Sequence, residues 1–410
     1  MASTKTVFVL PSWYPPDGGS FFKEQTEVLA EVANQVVLYP QSVSVKKLLR
    51  SPIKEAAQLY RITHDNDTNV PTLKLPYIIA PKLFRVNILC QYICFRILFA
   101  RATRLYGTPD ILHVHSSIWA GFSAYKISKK FGTPYIITEH RGRFVNNSYA
   151  RKEKQLPKSF ESYLTKIFSN ASFIAPVSNP MIPKIRSYID QTVAIESKPN
   201  LVNTNIFEKT KKQQVKASQF TFVTVSALVN LKGIDVLLKA FAEVLKETSD
   251  NLELMIIGDG PERTRLENLV EELQIRQSIT FKGQQGRSDV ARLLAQSHVF
   301  VLPTRYEAFG VVLVEALMAG MPVLATRNSG GPDSIVTPGI NGYLFDIDNI
   351  TQLKDLMIDV YSTYDKWNLT RIAASARQGY GPEAFMRQYK ELYAKVSGSE
   401  PKDKGYNEAL

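Results

Sequence analysis

Cysteine and histidine are scarce in this chain of 410 residues, which contains two cysteines and five histidines. Two cysteines cannot build the disulfide framework of a small secreted domain, and Cys90 and Cys94, four positions apart, are predicted to be buried thiols. No signal-peptide pattern opens the sequence, so we expect a cytoplasmic protein. His113 and His115 have no third ligand at a metal-binding spacing, and we therefore expect no metal site.

A long uninterrupted apolar run is also missing. The most apolar stretch, residues 83–104, is interrupted by Arg85, Arg96 and Arg101, which is incompatible with a transmembrane span. Two interpretations remain open for this stretch. Its aromatic and arginine content suits a helix lying in a membrane interface, and its pattern also suits an amphipathic helix packed on a sheet.

The composition is that of an ordinary globular protein, with 44% hydrophobic and 21% charged residues. Short apolar strands alternate with helical stretches in both halves, and this pattern predicts parallel sheets covered by helices. The predicted strands are residues 7–10, 36–39, 111–115, 135–138 and 173–177 in the first half, and 220–225, 252–257, 279–281, 299–302 and 323–325 in the second. Because the length exceeds one usual core, the simplest α/β assembly is two Rossmann-like domains that face a cleft.

The excess of positive over negative charge is confined to the first half of the chain. Residues 1–200 hold 26 Lys and Arg against 13 Asp and Glu, whereas the remaining residues hold 24 against 25. A basic domain suits an anionic partner, such as a lipid diphosphate or an anionic membrane surface. We expect no nucleic-acid partner, because no aromatic and basic recognition motif accompanies the charge.

Two carboxylates stand out in the second half, Glu307 and Glu315. Residues 311–318 are apolar at every position except Glu315, so a helix there has no polar face and is predicted to be buried. A buried carboxylate needs hydrogen-bond donors, which come from a ligand's hydroxyl groups or from an internal Arg or Lys. Glu307 lies in the loop after a predicted strand, and Gly310 allows close approach of backbone at the helix start.

Three further loops carry the glycines and the lysine that a phosphate site uses. Gly18 and Gly19 follow the first strand, Lys232 precedes a predicted helix at residues 234–244, and Gly258 follows the strand at residues 252–257. A lysine at a helix start adds its charge to the partial positive charge of the helix dipole, which favours a diphosphate. Each loop taken alone is equally compatible with an ordinary turn.

Together these motifs resemble the donor-site signature of the retaining family 4 glycosyltransferases, which have the two-domain GT-B fold. The resemblance implies that Glu307 contacts the transferred sugar, that Glu315 holds the nucleotide ribose, and that the remaining donor-binding residues are Gly18, Gly19, Lys232, Gly258, Phe309 and Gly310. The sequence departs from the family at Ala227, where an Arg usually accompanies the lysine. Arg305 or a cation of the first domain could substitute for it.

The same resemblance implies roles for residues of the first half, which is the family's acceptor domain. His115 is placed near the transferred sugar as a catalytic residue, and His140, Arg141 and Arg143 line the acceptor side. The predicted domains are residues 1–199 and 204–381, with a helix at about residues 382–396 that returns to the first domain. Residues 397–410 are expected to form a disordered tail.

The resulting functional hypothesis is a metal-independent, retaining glycosyltransferase. It would move a sugar from a nucleotide-diphosphate sugar to an anionic or lipid-linked saccharide acceptor in polysaccharide or glycolipid synthesis, in the cytoplasm or at the inner face of the membrane. Three alternatives share this sequence pattern. They are a soluble enzyme that glycosylates a small metabolite, a sugar-nucleotide epimerase, and a noncatalytic nucleotide-sugar-binding protein.

Overall fold

The computed structural model of the protein describes residues 4–15, 20–50, 58–65, 69–80, 83–145, 148–149, 158–189, 192–203, 219–248 and 251–398. These residues form two α/β domains, each built on a largely parallel sheet, and the fold class predicted from the sequence is confirmed. Gly18, Gly19 and residues 399–410 lie outside the described residues. So do residues 204–218, which follow the predicted domain boundary, and the boundary stays a prediction.

The sheet of the first domain has the strand order β3-β4-β2-β1-β5-β6-β7, with only the β3–β4 pair antiparallel. Its strands are β1 Thr6–Pro11, β2 Asn34–Ser44, β3 Thr63–Asp65, β4 Thr72–Ile79, β5 Ile111–His115, β6 Tyr135–Glu139 and β7 Phe173–Pro176. The helices of this part of the chain are α1 Ser20–Leu29, α2 Val45–Arg50, α3 Phe84–Tyr106, α4 Phe122–Phe131, α5 Lys158–Ser169 and α6 Ile182–Arg186. Strands β5 and β6 are buried at every position because helices cover both faces.

The sheet of the second domain is wholly parallel, with the order β10-β9-β8-β11-β12-β13. Its strands are β8 Phe220–Val225, β9 Leu252–Ile257, β10 Ile279–Gly283, β11 Val299–Leu302, β12 Val323–Thr326 and β13 Gly342–Phe345. The helices are α7 Ile234–Glu247, α8 Arg263–Glu272, α9 Arg287–Ala295, α10 Val311–Met318, α11 Pro332–Ile335, α12 Ile350–Ser362, α13 Leu369–Tyr380 and α14 Pro382–Val396. In the described part of the chain, no helix is both long and apolar enough to cross a bilayer.

Strands β3, β4 and β13 were absent from the sequence prediction. Strand β4 contains Pro76, which supplies no backbone N–H and therefore argues against a strand between two neighbours. It forms nevertheless, and it pairs with β2 over eight residues. Strand β13 lies within a Gly-rich segment that resembled a turn, although its register with β12 is continuous from Gly342 to Phe345.

The C-terminal helix α14 packs on the first domain. Its buried aromatic residues Phe385, Tyr389 and Tyr393 join the apolar cluster that contains β1 and α1. The hydroxyl of Tyr393 lies 2.8 Å from Nδ1 of His113, and the hydroxyl of Tyr389 lies 2.8 Å from Oγ1 of Thr138. Helix α14 therefore holds β5 and β6 in place near their carboxyl ends, where the predicted acceptor residues follow.

Candidate active site

Loops at the carboxyl ends of the two sheets touch each other. Ser178, which follows β7, donates a hydrogen bond from Oγ to the carbonyl oxygen of Ala308 at 2.7 Å. Gly142 packs so closely on Tyr306 that a Cβ added to it would lie 2.0 Å from the Tyr306 hydroxyl. The loop that carries Glu307 therefore lies against the loops that follow β6 and β7, at the position where ligands bind in α/β sheets.

Lys232 and Glu307 form an ion pair in this region. Nζ of Lys232 donates to Oε2 of Glu307 at 2.6 Å, and the two side chains keep 25% and 18% of their exposure. Lys232 ends the short turn before α7, and Glu307 lies in the loop between β11 and α10. Both groups remain accessible, so a phosphate can compete with Glu307 for the ammonium group and release the carboxylate.

Glu315 lies in α10 and is 6% exposed. Burial raises the pKa of its carboxyl group to about 7; the positive charge of Arg287 opposes this increase and the negative charge of Glu24 adds to it. Nε of Arg287 is 3.6 Å from Oε1 of Glu315, and the guanidinium group also pairs with Glu24. The carboxylate is thus only partly compensated by a residue that itself keeps 37% of its exposure.

Arg287 is a residue of this site that the sequence did not indicate. It begins α9 in the second domain, whereas Glu24 belongs to α1 in the first, so the arginine links the two domains beside the buried acid. An arginine at the first position of an amphipathic helix has no distinguishing sequence signal. Only the folded arrangement brings it between two carboxylates that are remote in the chain.

Two glycines of the donor signature have backbone conformations that other residues rarely adopt. Gly310 has φ of 98° and precedes α10, and Gly258 has φ of 130° after β9. A Cβ on Gly258 would lie 1.9 Å from the carbonyl oxygen of Ser226, so no side chain fits there. Phe309 is 3% exposed, and its ring packs on that of Tyr380. Its place in the donor site stays a prediction.

His115, predicted near the transferred sugar, and His140, predicted on the acceptor side, form a stack of rings with His113. The rings of His113 and His115 are 4.4 Å apart, and Nδ1 of His115 lies 3.1 Å from Nε2 of His140. Burial lowers the pKa of His115 to about 3, and burial followed by the neighbouring His115 lowers the pKa of His140. His115 is 1% exposed and is covered by His140 and Phe22, so His140 is the more accessible of the pair.

A buried carboxylate anchors the loop that carries His140. Glu139 ends β6, and its Oε2 accepts hydrogen bonds from the backbone N–H and the hydroxyl of Ser117 at 2.8 and 2.5 Å. Its Oε1 accepts from the backbone N–H of Arg141 at 2.9 Å. The guanidinium of Arg141 lies 4.7 Å from the ring of Trp13, and Arg143 belongs to the next short turn. Glu139 therefore fixes the start of the predicted acceptor loop.

Arg305 is not available to replace the arginine missing at Ala227, which corrects that expectation. It is 7% exposed, and its guanidinium donates to both carboxylate oxygens of Asp235 at 3.1 and 2.9 Å. Its Nε also donates to Asp348 at 2.7 Å. These contacts hold the Arg305 guanidinium against Asp235 and Asp348. Arg305 therefore stabilises the loop between β11 and α10.

Replacement of Arg305 with lysine is expected to lower the free energy of unfolding by about 2 kcal/mol, because hydrogen bonds to charged groups are lost and an ammonium cannot bridge both carboxylates. Urea unfolding of the variant and the wild type would measure the difference. The matched control is Arg276→Lys, since Arg276 is 57% exposed and its pair with Glu271 spans 3.6 Å. Equal small losses in both variants would contradict the structural role.

Among the described residues, no group of three or more His, Cys, Asp or Glu side chains is arranged to hold a metal ion. Asp65, which ends β3, pairs with Lys74. In the donor site, Lys232 pairs with Glu307, and Arg287 lies 3.6 Å from Glu315.

Comparison with known proteins agrees with this architecture. Residues 205–377 match the family described as glycosyl transferases group 1. Over 296 residues the chain is 26% identical to N-acetyl-alpha-D-glucosaminyl L-malate synthase of Bacillus anthracis, covering 70% of this chain and 75% of that protein. Sucrose-phosphate synthase from Thermosynechococcus elongatus superposes with a TM-score of 0.75 at 19% identity, covering 97% and 100% of the two chains. HepE of Anabaena, solved in complex with UDP, gives a TM-score of 0.68 at 17% identity, covering 96% and 100%.

These similarities cover both domains, and the family match lies on the domain that carries Lys232, Glu307 and Glu315. They confirm the resemblance and the GT-B fold predicted from the sequence. The chain is therefore similar to the glycosyl transferases of group 1 over residues 205–377, and it has the GT-B fold.

Proposed function

We propose that the protein transfers a sugar from a nucleoside diphosphate sugar to a hydroxyl group of an anionic acceptor, with retention at the anomeric carbon and without a divalent metal. The observation that carries the proposal is the accessible ion pair of Lys232 and Glu307, at the loop that touches the first domain. A nucleoside diphosphate sugar supplies a new partner for each member of the pair. Its diphosphate binds the ammonium group of Lys232, and the hydroxyl groups of its sugar donate to the carboxylate of Glu307.

Each residue of the donor site then has a distinct role. Lys232 and the helix start after Gly310 bind the diphosphate. The Glu315 carboxylate accepts hydrogen bonds from the ribose hydroxyl groups, which would complete the partial compensation that Arg287 provides. Glu307, released from Lys232, orients the sugar.

The reaction exchanges one bond at the anomeric carbon for another. The bond from that carbon to the phosphate oxygen breaks, and the acceptor oxygen forms its bond on the same face of the sugar. The acceptor proton passes to an oxygen of the departing diphosphate. Lys232 and the helix dipoles stabilise the negative charge that develops on the leaving group. In other transferases a divalent cation stabilises this charge. No described side chain is required as a nucleophile.

The charge of the first half supports an anionic acceptor. Its excess of 26 basic over 13 acidic residues includes Arg141 and Arg143, which follow His140 at the cleft. The name of the similar Bacillus anthracis protein describes a product in which N-acetylglucosamine is joined to L-malate, and L-malate is an anion. A lipid-linked saccharide, whose diphosphate carries comparable charge, is the acceptor class that we propose for this chain, in glycolipid or polysaccharide synthesis at the cytoplasmic face of a membrane.

The test is a donor and acceptor matrix with a chelator present throughout. Thermal shifts against uridine, guanosine and adenosine diphosphate sugars identify the donor, and release of nucleoside diphosphate is then measured with a lipid-linked saccharide diphosphate or L-malate. We expect stabilisation by one donor class, release only with acceptor, and a product whose anomeric proton shows the donor's configuration by NMR.

Other outcomes identify the alternatives. An inverted product would refute retention, and loss of all turnover in chelator would refute metal independence. Donor consumption without acceptor, with a changed sugar configuration, would indicate an epimerase. Donor binding with no turnover would indicate a binding protein, for which the missing arginine at Ala227 gives a physical reason. Turnover with L-malate alone would indicate a small-metabolite enzyme.

A further inference from the structure

We propose that the outer face of helix α3 docks the protein on an anionic lipid bilayer. We define this outer face by the apolar residues Leu83, Val86, Leu89, Ile93 and Ile97, which are between 46% and 53% exposed. Leu83 is the residue just before the helix. Spacings of three and four residues place all five in one stripe along the helix.

The fold does not require the outer face to be apolar. The opposite side of α3 packs on the sheet through a separate set of residues, all of them buried: Ile88, Gln91, Cys94, Phe95, Leu98, Phe99 and Ala102. A helix covered on one side normally presents polar residues of both signs on the other. Here the water-facing side of α3 is instead a second apolar stripe. This stripe can be buried only by a surface outside the described part of the chain.

The charges on the helix identify that surface. Helix α3 has 23 residues with Arg85, Arg96, Arg101 and Arg104, and it contains neither Asp nor Glu. The adjoining end of α4 adds Lys129, Lys130 and the 48% exposed Phe131, whose ring lies 5.0 Å from that of Phe99. An exposed apolar stripe on a helix whose charged residues are all arginines is the pattern of helices that lie in the interface of an anionic bilayer.

A second copy of the chain fits this face less well. A symmetric contact through α3 would bring arginines against arginines with no carboxylate of the same helix to separate them, and like charges in a contact are costly. A bilayer with anionic headgroups supplies the complementary charge along the whole helix, which is about 34 Å long at 1.5 Å per residue.

The start of α3 connects the outer face to the cleft. The ring of Phe84 lies 5.0 Å from that of Trp119, in the loop that follows β5, and 5.2 Å from that of Phe160. A cavity of about 480 Å³ adjoins this contact. It is lined by Phe84, Arg85, Ile88, Leu89, Phe122, Phe160, Ser162, Tyr163 and Lys166.

This cavity combines an apolar wall with two cations, so it suits the first part of a lipid chain and its phosphate. A lipid-binding role for this cavity rests on the proposed function, whereas docking itself does not.

The experiment is cosedimentation of the full chain with vesicles, in the absence of donor and acceptor. Vesicles of phosphatidylcholine containing one-quarter phosphatidylglycerol are compared with vesicles of phosphatidylcholine alone, at low and high salt. We expect the wild type to bind the anionic vesicles and to be released by salt. Leu89→Gln with Ile93→Gln should lower the partition coefficient about tenfold. Arg96→Gln with Arg101→Gln should lower it about twenty-fivefold, by roughly fivefold for each arginine near the surface.

The matched control is Ile340→Gln with Arg371→Gln, in the second domain, where Ile340 is 53% exposed and Arg371 is exposed. Wild-type binding by this control, together with the losses above, supports the proposal. No binding by the wild type, unchanged binding by both α3 variants, or an equal loss in the control would overturn it. A wild-type dimer that Leu89→Gln with Ile93→Gln converts to a monomer would also overturn it in favour of self-association.

The donor site provides an independent readout. Thermal stabilisation by a nucleoside diphosphate sugar should be unchanged in both α3 variants, because no substituted residue belongs to that site. Vesicle binding by a wild type that transfers no sugar would refute the proposed function and leave the docking proposal standing. Sugar transfer by a wild type that does not bind vesicles would support the proposed transferase activity and refute the docking proposal.

Discussion

Replacement of Glu315 with glutamine is expected to lower the affinity for the nucleoside diphosphate sugar about a hundredfold, because two charge-assisted hydrogen bonds to the ribose hydroxyl groups are weakened or lost. The glutamine side chain keeps the shape of the glutamate, but its amide nitrogen cannot accept a hydrogen bond. Isothermal titration with donor measures the loss. The control is Glu271→Gln in the same domain, where the side chain is 66% exposed and pairs with Arg276.

The same substitution should change the pH dependence of stability in the empty protein. Burial raises the pKa of Glu315 to about 7 from its ordinary value of 4.5, so between these values the folded state holds a proton that the unfolded state has released. The contribution of Glu315 to wild-type stability should therefore fall by up to about 3 kcal/mol as the pH rises through this window. The glutamine variant lacks this contribution, so the difference in stability between the two proteins should change by that amount, whereas the buried histidines act on both proteins alike.

Donor affinity should show the complementary pH dependence. Below pH 7 the wild-type carboxyl group is increasingly protonated in the empty site, so donor binding should weaken, whereas the weak binding of the glutamine variant should not change. The histidines of the first domain do not compete in this window, since burial lowers the pKa of His113, His115 and His140. Donor affinity equal to that of the wild type in the glutamine variant would falsify the ribose role.

The sequence predicted those parts of the site that depend on local pattern. The burial of Glu315 followed from the apolar residues on every side of it in α10, and the structure finds it 6% exposed. The two-residue period of a strand puts His113 and His115 on the same face of β5, and their rings are stacked. The strands β8, β9 and β11 were predicted with the bounds they have, because each apolar run is only four to six residues long, too short for a typical helix, and is rich in β-branched or aromatic residues.

What the sequence did not reveal depends on contacts between distant segments. The link from Glu24 through Arg287 to Glu315 joins three elements in two domains, and nothing in the local sequence of any one of them marks it. Arg305 was predicted as a possible phosphate-binding cation because it lies beside the Glu307 motif. The sequence does not show its partners, and in the structure Asp235 and Asp348 bind it. Strand β4 forms despite Pro76 because pairing with β2 and burial outweigh the one missing donor.

Replacement of Lys232 with alanine is expected to weaken the binding of nucleoside diphosphates by tenfold to about a hundredfold, the value of one hydrogen bond between charged groups. The loss should lie near the upper end. Ala227 stands where similar enzymes carry an arginine, and Arg305 is bound to two carboxylates, so no described neighbour is positioned to take over the charge. Binding of the corresponding nucleoside, which lacks phosphate, should be unchanged.

The appropriate control for Lys232 is Lys246→Ala. Lys246 lies in the last turn of α7, the helix that Lys232 precedes, and its side chain is 69% exposed in an ion pair with Glu243. Titrations of nucleoside and nucleoside diphosphate into both variants separate a charge effect from a folding effect. Since Lys232 also neutralises Glu307 in the empty protein, its loss exposes the remaining carboxylate to the diphosphate, and raised salt should recover part of the affinity. An equal loss for nucleoside and diphosphate, or no recovery with salt, would contradict the assignment of Lys232 to the phosphate groups.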